Sequence, residues 1–516
     1  MKKIVFVFVA VFSMLSCCRT SGPAVSGIAP RSDQVIPVTG TWVNLAWQDE
    51  RNNYMNAKDE ELNTDPELWA DKMAELHEIG VDYIVIMQTA NEGKAYYPSE
   101  LMPHHYPDGR KSPVEAIMDT CDELGMQVFM SCGWAYDQSD NVGDPKVVAR
   151  QCEMMGELGA LYGDRPSFYG WYLPIEDCLI PYLPDRSVTG INRLTAKAHE
   201  ITPGKRTMVA PYGIFGAELD NPAFGEQLSK IDVDIIAYQD EVGCVRERFP
   251  MHRMKQNFRK LGEIHEKLGI EFWVDLEAFT WDRASNSQHS TLIPAEFGRL
   301  LSQFVGASQA GAKRILSFAI YGIFDKPGSR HPLGQPEKSA QAYTNYQNWL
   351  AGDPHWKLLE DIFTGKATND AEGSVIAFSS EGVPNKAQRS FLPKLVDGQF
   401  GYEDPGCNEW LKCTGSMDVT IDLGSEKDLA VVAPHFLNYS PDRISFPRSL
   451  EIYTSSDGID FQLVASAKKP EGLNDKHDCW TDISYFTDLG KARYIRVAAK
   501  TAGWSFMECD EIIVKY

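Results

Sequence analysis

The length, composition and charge of the chain limit its class before any motif is considered. A chain of 516 residues exceeds what one hydrophobic core normally organises, so two or three domains are expected. The composition, 43% hydrophobic and 24% charged, is that of a folded protein and excludes an intrinsically disordered one. The net charge of −22 argues against nucleic acid as a partner, because binding phosphates requires clustered Lys and Arg; a neutral substrate fits better.

The N-terminus has the pattern of an export signal. Two lysines precede an apolar run at residues 4–15, which is too short for a mature membrane span. The run leads into Ser16, Cys17 and Cys18, and a small residue before a Cys at this point resembles a bacterial lipoprotein signal. We therefore predict a signal peptide at 1–17 with lipidation at Cys17, or alternatively at Cys18. A plain secretory signal is the other interpretation.

The lipoprotein pattern also predicts the location. Residues 18–35 are rich in Ser, Gly and Pro and are predicted to be a tether. An exported outer-membrane lipoprotein is expected, attached through its lipid anchor either on the periplasmic face or at the cell surface.

From residue 36 to about residue 350 one pattern repeats: a short apolar strand, a polar or aromatic loop, an amphipathic helix and a turn with Gly. In one repeat, Ser112-Pro113-Val114-Glu115 is a capping box, and Ile117, Cys121 and Leu124 fall on one helical face. Gly125 is predicted to end this helix. Eight strands are predicted in the same way, near residues 41–45, 83–87, 127–131, 168–173, 206–210, 235–238, 272–276 and 314–320.

Eight alternating strands and helices in this length predict a (β/α)₈ TIM barrel over residues 36–364. The alternative is an open, doubly wound sheet, which usually carries a Gly-rich phosphate loop after its first strand. Here the first strand is followed by Ala46-Trp47-Gln48-Asp49, so the barrel is favoured.

The pattern changes to strand alternation in the last part of the chain. Val419, Ile421 and Leu423 alternate with polar residues, and turns rich in Gly, Asp, Ser and Pro separate such segments. Residues 365–516 are therefore predicted to form an all-β sandwich.

The order of motifs in this sandwich resembles the discoidin, or coagulation factor 5/8 type C, family of galactose-binding-like domains. The resemblance lies in Lys394-Leu395-Val396-Asp397-Gly398, Val419-Thr420-Ile421-Asp422-Leu423-Gly424, the segment 447–458 and Ala492-Arg493-Tyr494-Ile495-Arg496-Val497. It implies carbohydrate binding, and it implies a structural calcium ion near Asp397, although no full ligand set is evident.

Candidate catalytic carboxylates follow the fourth and seventh predicted strands. In a TIM barrel the chemistry sits at the C-terminal ends of the strands. Glu176 and Glu277 both occupy such ends beside aromatic residues, and glycoside hydrolysis requires two carboxyl groups that flank the scissile bond. The placement resembles the clan of retaining TIM-barrel glycosidases, which implies Glu176 as acid/base and Glu277 as nucleophile. Where that clan has Asn before the acid, this chain has Ile175, so retention and inversion both remain open.

Polar and aromatic residues near other strand ends are candidates for sugar contacts. Amides and carboxylates can bind hydroxyl groups, and aromatic faces stack on the apolar faces of sugar rings. Either acid after the sixth strand, Asp240 or Glu241, is also a possible replacement for one member of the catalytic pair. The candidate substrate-binding residues are Asn44, Trp47, Gln88, Trp134, Tyr172, Tyr212, Tyr238, Asp240, Glu241, Trp281 and Tyr321.

The barrel as a whole is similar to an uncharacterised family of glycosidase-like barrels found in Bacteroides-type lipoproteins. The similar segments are Thr39-Gly40-Thr41-Trp42, the stretches 79–85 and 168–176, and Tyr238-Gln239-Asp240. The leading hypothesis is therefore a lipid-anchored glycoside hydrolase that needs no organic cofactor or metal for catalysis and degrades a poly- or oligosaccharide. The alternative is a non-catalytic carbohydrate-binding lipoprotein.

Overall fold

The computed structural model describes residues 35–46, 64–137, 140–244, 251–281, 292–379, 386–402, 405–468, 479–501 and 505–516. Cys17, Cys18 and Trp47 lie outside these ranges. In the part of the chain that is described, no helix is both long enough and apolar enough to cross a membrane.

Eight parallel strands close into a barrel, which confirms the predicted TIM-barrel fold. Each strand pairs with the next one along the chain, and the last pairs with the first through Thr41 and Ser317. All eight strands predicted from the sequence are present. They are β1 (Val38–Val43), β2 (Tyr83–Ile86), β3 (Gln127–Ser131), β4 (Phe168–Tyr172), β5 (Arg206–Val209), β6 (Ile235–Gln239), β7 (Glu271–Leu276) and β8 (Ile315–Ser317).

Helices surround the barrel and begin where the capping signals predict. Ser112 and Glu115 form a complete capping box at the start of α2, and Gly125 ends that helix in the left-handed conformation. Asp65 caps α1 by accepting the N–H of Glu67. The helices are α1 (Pro66–Glu78), α2 (Pro113–Leu124), α3 (Pro145–Tyr162), α4 (Asp185–Ile201), α5 (Pro222–Leu228), α6 (Met251–His265), α7 (Phe297–Gln309), α8 (Pro336–Ala351) and α9 (Pro354–Thr364).

Alternate residues of the barrel strands face either the interior or the surrounding helices. The interior is closed by bulky side chains such as Trp42, Phe129, Tyr172 and Trp273. A second and larger core lies between strands and helices. The interior is therefore packed, and the ends of the strands are the places to look for a ligand site in such a barrel.

The C-terminal part is a β-sandwich of two antiparallel sheets. The five-stranded sheet has the order β9 (Val375–Phe378), β11 (Ser416–Asp428), β16 (Lys491–Lys500), β13 (Ser449–Ser455), β14 (Gln462–Lys468). The four-stranded sheet has the order β10 (Leu411–Thr414), β17 (Phe506–Lys515), β12 (Val431–Tyr439), β15 (Cys479–Ile483). A short helix, α10 (Lys386–Phe391), precedes β10, and the apolar core between the sheets includes Ile421 and Val497.

The sandwich packs against the helices that follow β7 and β8. The hydroxyl of Tyr402 donates to the carbonyl oxygen of Gly298 in α7 at 3.3 Å. The ring of Tyr485 stacks on His355 in α9, with the ring centroids 4.4 Å apart. The chain passes from one unit to the other between Thr364, the last residue of α9, and Val375. These contacts attach the sandwich to the outside of the barrel, beside the helix that supports the site described below.

A substitution at Gly170 in β4 can test how closely β4 and β5 approach each other. A Cβ atom at this position would overlap the backbone carbonyl oxygen of Arg206, and backbone cannot move aside as a flexible side chain can. We expect Gly170→Ala to destabilise the barrel by about 1–3 kcal/mol, measured by urea and thermal unfolding.

Gly156→Ala is the matched control, because Gly156 lies inside α3 with open space around its Cβ position. It should leave stability unchanged or raise it by roughly 0.5–1 kcal/mol, since Ala is the better helix former. Equal unfolding midpoints for Gly170→Ala and the wild type would contradict the strand packing described here.

Candidate active site

Five carboxyl groups lie near the C-terminal ends of three barrel strands. Glu176 follows β4, Asp240 and Glu241 follow β6, and Asp275 and Glu277 lie at the end of β7. The last four are at least nine-tenths buried, whereas Glu176 is partly exposed. Strands β6 and β7 are neighbours, and β4 lies three strands from β7 around the barrel. The two predicted catalytic residues therefore come from well-separated parts of one barrel mouth.

Glu277 is held by backbone amides of the loop that follows β6. Its Oε2 accepts hydrogen bonds from the N–H groups of Gly243 and Cys244, each at 2.7 Å. Burial raises the pKa of Glu277, while the Cys244 thiol and amide, the Arg299 guanidinium and the Gly243 amide oppose the rise. These donors stabilise the anionic form, which is the form that a nucleophile or a general base requires.

Asp240 positions Glu277 and does not reach the cleft. Its Oδ1 accepts the backbone N–H of Glu277 at 3.1 Å, and its Oδ2 accepts Nε2 of Gln303 at 2.5 Å. The side chain is fully buried. Both oxygens bind protein donors, which makes Asp240 a support for β7, and its contact with substrate stays a prediction.

Two polar residues of α7 complete the support of β7, and the sequence analysis did not identify them. Nη2 of Arg299 donates to the carbonyl oxygens of Glu277 and Phe279, at 2.8 and 2.7 Å. Gln303 lies one helical turn later on the same face. A buried Arg and a Gln four residues apart in an otherwise apolar helix are the signal that would have found them.

Glu176 lies at a cleft of 440 Å³, which also contacts Trp134 and Tyr212. The hydroxyl of Tyr172 donates to its Oε1 at 2.9 Å. The surrounding protein removes water from the carboxyl group of Glu176, and this desolvation raises its pKa to about 7. The Tyr172 hydrogen bond opposes the rise. Glu176 therefore retains a proton close to neutral pH, as a general acid must.

Glu241 and Asp275 have raised pKa values although backbone N–H groups of Gly213, Ile214 and Phe215 oppose the rise at Glu241 and that of Phe318 opposes it at Asp275. Burial and the nearby charge of Glu277 raise the pKa of Glu241 to about 8. Burial, followed by the charges of Glu277, Asp240 and Glu176, raises the pKa of Asp275 well above its ordinary value. Oε2 of Glu241 and Oδ1 of Asp275 have no hydrogen-bond partner among the residues that the structure describes. Glu241 also adopts a left-handed backbone, with φ of 58°, a strained conformation that is frequent at functional sites.

The two predicted catalytic acids differ in the donors that surround them. Like charges buried together cannot all ionise, so some acids of this cluster keep protons. Glu277 has two backbone donors on one oxygen, whereas Glu176 has one donor, the Tyr172 hydroxyl. The arrangement can therefore provide a proton donor on β4 and an anionic carboxylate on β7.

Several predicted sugar contacts instead hold the barrel together. Nε2 of Gln88 donates to Oδ1 of Asn44 at 2.5 Å, and the Tyr321 hydroxyl accepts the backbone N–H of Asn44 at 3.0 Å. All three side chains are buried, so they link the ends of β1, β2 and β8. The Tyr321 hydroxyl binds the Asn44 backbone, and Asn44 and Gln88 are paired with each other, so the contacts of these three residues with substrate stay predictions.

Two further tyrosines, Tyr238 and Tyr172, have hydroxyl groups that contact other side chains of the protein. Tyr238 faces the helices, where its hydroxyl lies 2.9 Å from Nε2 of His265 in α6. Tyr172 is fully buried in the barrel interior, edge-on to Trp42, and reaches the site only through Glu176. Direct contact of either tyrosine with substrate stays a prediction. Trp281 is partly buried on a short ribbon after β7, and its proposed contact stays a prediction.

The cleft adds residues that the sequence analysis did not select. Besides Glu176, Trp134 and Tyr212 it is lined by Asp140, Asn141, Asp177 and Arg186, among others. Nη2 of Arg186 binds Oδ1 of Asp177 at 3.0 Å. No group of three or more His, Cys, Asp or Glu side chains within the described ranges has the arrangement of a metal site.

Comparison with known proteins identifies one family and a set of distant folds. The family model described as Domain of unknown function (DUF4434) matches residues 38–331, more than half of the 516-residue chain. No curated protein matches the chain. A candidate alpha-L-fucosidase from Bacteroides thetaiotaomicron is 16% identical over 64% of this chain and 98% of its own, with a TM-score of 0.49.

Two other solved structures are similar to single parts of the chain. GH5_18 from Streptomyces cattleya, in complex with GlcNAc, is 16% identical over 62% of this chain and 82% of its own, with a TM-score of 0.39. CpGH89CBM32-5 from Clostridium perfringens, in complex with GalNAc-beta-1,3-galactose, is 14% identical over 29% of this chain and 100% of its own, with a TM-score of 0.22. At these identities the likeness concerns the fold alone.

Removal of the Tyr172 hydroxyl tests the electrostatic description of Glu176. This hydroxyl stabilises the carboxylate form, so Tyr172→Phe should raise the pKa of Glu176 further above 7. The shift can be measured by carbon-13 NMR titration of Glu side chains, with Glu176→Gln assigning the signal. An unchanged or lower pKa in Tyr172→Phe would contradict the assigned hydrogen bond.

Proposed function

The chain belongs to the family described as Domain of unknown function (DUF4434), and we propose that it is a glycoside hydrolase. The observation that carries this proposal is the unequal pair of carboxyl groups at one barrel mouth. Glu176 has a pKa near 7 and borders an open cleft, whereas Glu277 is stabilised as an anion by two backbone amides. Protonation of a leaving oxygen by one carboxyl and action by the other is the chemistry of glycosidic hydrolysis.

In the proposed reaction Glu176 donates its proton to the glycosidic oxygen as the bond to the sugar breaks. Glu277 acts from β7 in one of two ways. It attacks the anomeric carbon directly and forms a glycosyl-enzyme, which water then hydrolyses with Glu176 as the base, or it activates a water molecule that attacks this carbon. Asp240 and Arg299 hold Glu277 through its backbone, at its N–H and its carbonyl oxygen. The cleavage requires no organic cofactor.

The test is hydrolysis of a panel of plant and host glycans by the wild type and by Glu176→Gln and Glu277→Gln. We expect kcat to fall by about 10²–10⁴ in each variant, the usual contribution of a general acid or base. NMR of the released sugar would give the anomeric configuration and so distinguish retention from inversion.

Glu200→Gln is the matched control, because Glu200 is exposed on α4 and pairs only locally, with Lys197. Full activity in both Glu176→Gln and Glu277→Gln would refute the site assignment. Binding of glycans by the wild type without any cleavage would favour the non-catalytic carbohydrate-binding alternative.

We also propose that the protein is lipid-anchored at the outer membrane through Cys17 or Cys18, on the basis of the signal pattern at residues 1–17. If so, expression in a bacterium with labelled palmitate should label the wild type. Cys17→Ser or Cys18→Ser, whichever removes the modified residue, should abolish the label, and the other should keep it. Labelling that persists in the double variant would contradict the proposal.

The sandwich is proposed to be a discoidin-like, carbohydrate-binding module that also braces the barrel through α7 and α9. Its motif order supports the first role, and the Tyr402 and Tyr485 contacts support the second. At the Asp-Gly turn, Oδ1 of Asp397 accepts the N–H of Gln399 at 3.0 Å. The expected calcium ion at this turn stays a prediction.

A further inference from the structure

Except for Tyr212, the residues that line the cleft beside Glu176 come from the segments after β3 and β4 and from α4. Strands β3, β4 and β5 are adjacent in the barrel, so Glu176 lies between Trp134, which follows β3, and Tyr212, which follows β5. Other lining residues, such as Arg186, come from α4 and the loops near it. Glu277 and Asp240 belong to β7 and β6, farther around the barrel. The cleft therefore extends from Glu176 in the direction away from Glu277.

This position identifies which part of a substrate the cleft would hold, and the inference rests on the proposed function. A general acid protonates the glycosidic oxygen, and that oxygen departs with the leaving group. The sugar that undergoes attack must lie between Glu176 and Glu277. The group that departs must then extend from Glu176 on the opposite side, which is where the cleft lies.

Tyr212 has the features of a preorganised stacking platform. It is 39% exposed, although large aromatic side chains are usually more buried. Its backbone is fixed to the loop after Glu176, because its carbonyl oxygen accepts the Leu179 N–H at 2.8 Å and its N–H donates to Asp177 at 3.4 Å. These two bonds join the Tyr212 backbone to the loop that carries the acid. Trp134, 4% exposed, forms a wall of the same cleft.

The polar lining is typical of a site for an uncharged sugar. Asn141, Asp140 and Asp177 offer acceptors for hydroxyl groups, and Asn141 and Arg186 offer donors. The guanidinium of Arg186 is already paired with Asp177, and Asp140 adds a further acidic group. An anionic sugar would therefore meet net negative charge, whereas a neutral sugar can use both the ring and the polar groups.

We propose that Tyr212 and Trp134 bind a neutral sugar unit as the leaving group, so that the enzyme cleaves bonds between two sugars. Tyr212 determines the specificity for this unit, and Asn141 and Arg186 bind its hydroxyl groups. An aryl or alkyl leaving group would use little of this cleft.

The experiment compares aryl glycosides with oligosaccharides that present the same sugar for attack. In Tyr212→Ala, kcat/KM for the oligosaccharide should fall about 10-fold, whereas kcat/KM for the nitrophenyl glycoside should change less than twofold. Tyr212→Phe keeps the ring and should retain activity on both. Asn141→Ala, which is less demanding for folding, should show the same selective loss. Tyr516→Ala, an exposed tyrosine of the sandwich, is the control for loss of a surface ring.

The outcomes separate this inference from the function on which it rests. If the wild type cleaves neither class, the proposed function itself fails. If it cleaves only aryl glycosides, the sugar leaving group is wrong although the hydrolase function stands. An equal loss on both substrates in Tyr212→Ala and Asn141→Ala, or no loss on either, would also overturn the assignment of this cleft.

Discussion

The burial of several carboxyl groups at one end of a closed barrel is the constraint on which the chemistry of this protein depends. Each buried acid resists ionisation, and each that does ionise makes ionisation of its neighbours harder. The charge state of the site is therefore decided by hydrogen-bond donors and not by the acids alone. The backbone amides of Gly243 and Cys244, together with Arg299, stabilise the anionic form of Glu277, whereas the Tyr172 hydroxyl stabilises that of Glu176. The same residue type consequently lies in two different electrostatic environments.

The support for this arrangement reaches from the barrel to the sandwich. Asp240 and Gln303 connect the ends of β6 and β7 to α7, and Arg299 on the same helix binds the backbone carbonyl of Glu277. Tyr402 of the sandwich binds the carbonyl oxygen of Gly298, one residue before Arg299. The sandwich thus contacts the N-terminal turn of the helix that holds the site. Through this contact the sandwich supports the helix that binds the backbone of Glu277.

The sequence predicted the strands well and the side-chain roles less well. Hydrophobic periodicity and capping residues such as Ser112 are local properties, and they located all eight barrel strands. Position at a strand end also brought Glu176, Trp134 and Tyr212 to one cleft. The same criterion does not tell whether a side chain faces the cleft, the helices or another strand. The Tyr238 hydroxyl lies beside His265 of α6, and the Tyr321 hydroxyl binds the backbone of Asn44. Arg299 and Gln303 were missed because they act from a helix.

The sequence by itself determined the alternation of strands and helices, the change to a β-sandwich and the presence of acids at the ends of β4, β6 and β7. These features follow from patterns within a few residues of one another. Only the tertiary structure decided which acids are compensated, that Asp240 supports Glu277 and that Glu176 alone of the five acids borders the described cleft. Those properties depend on donors and burial contributed by residues far apart in the chain, which meet only when the barrel closes.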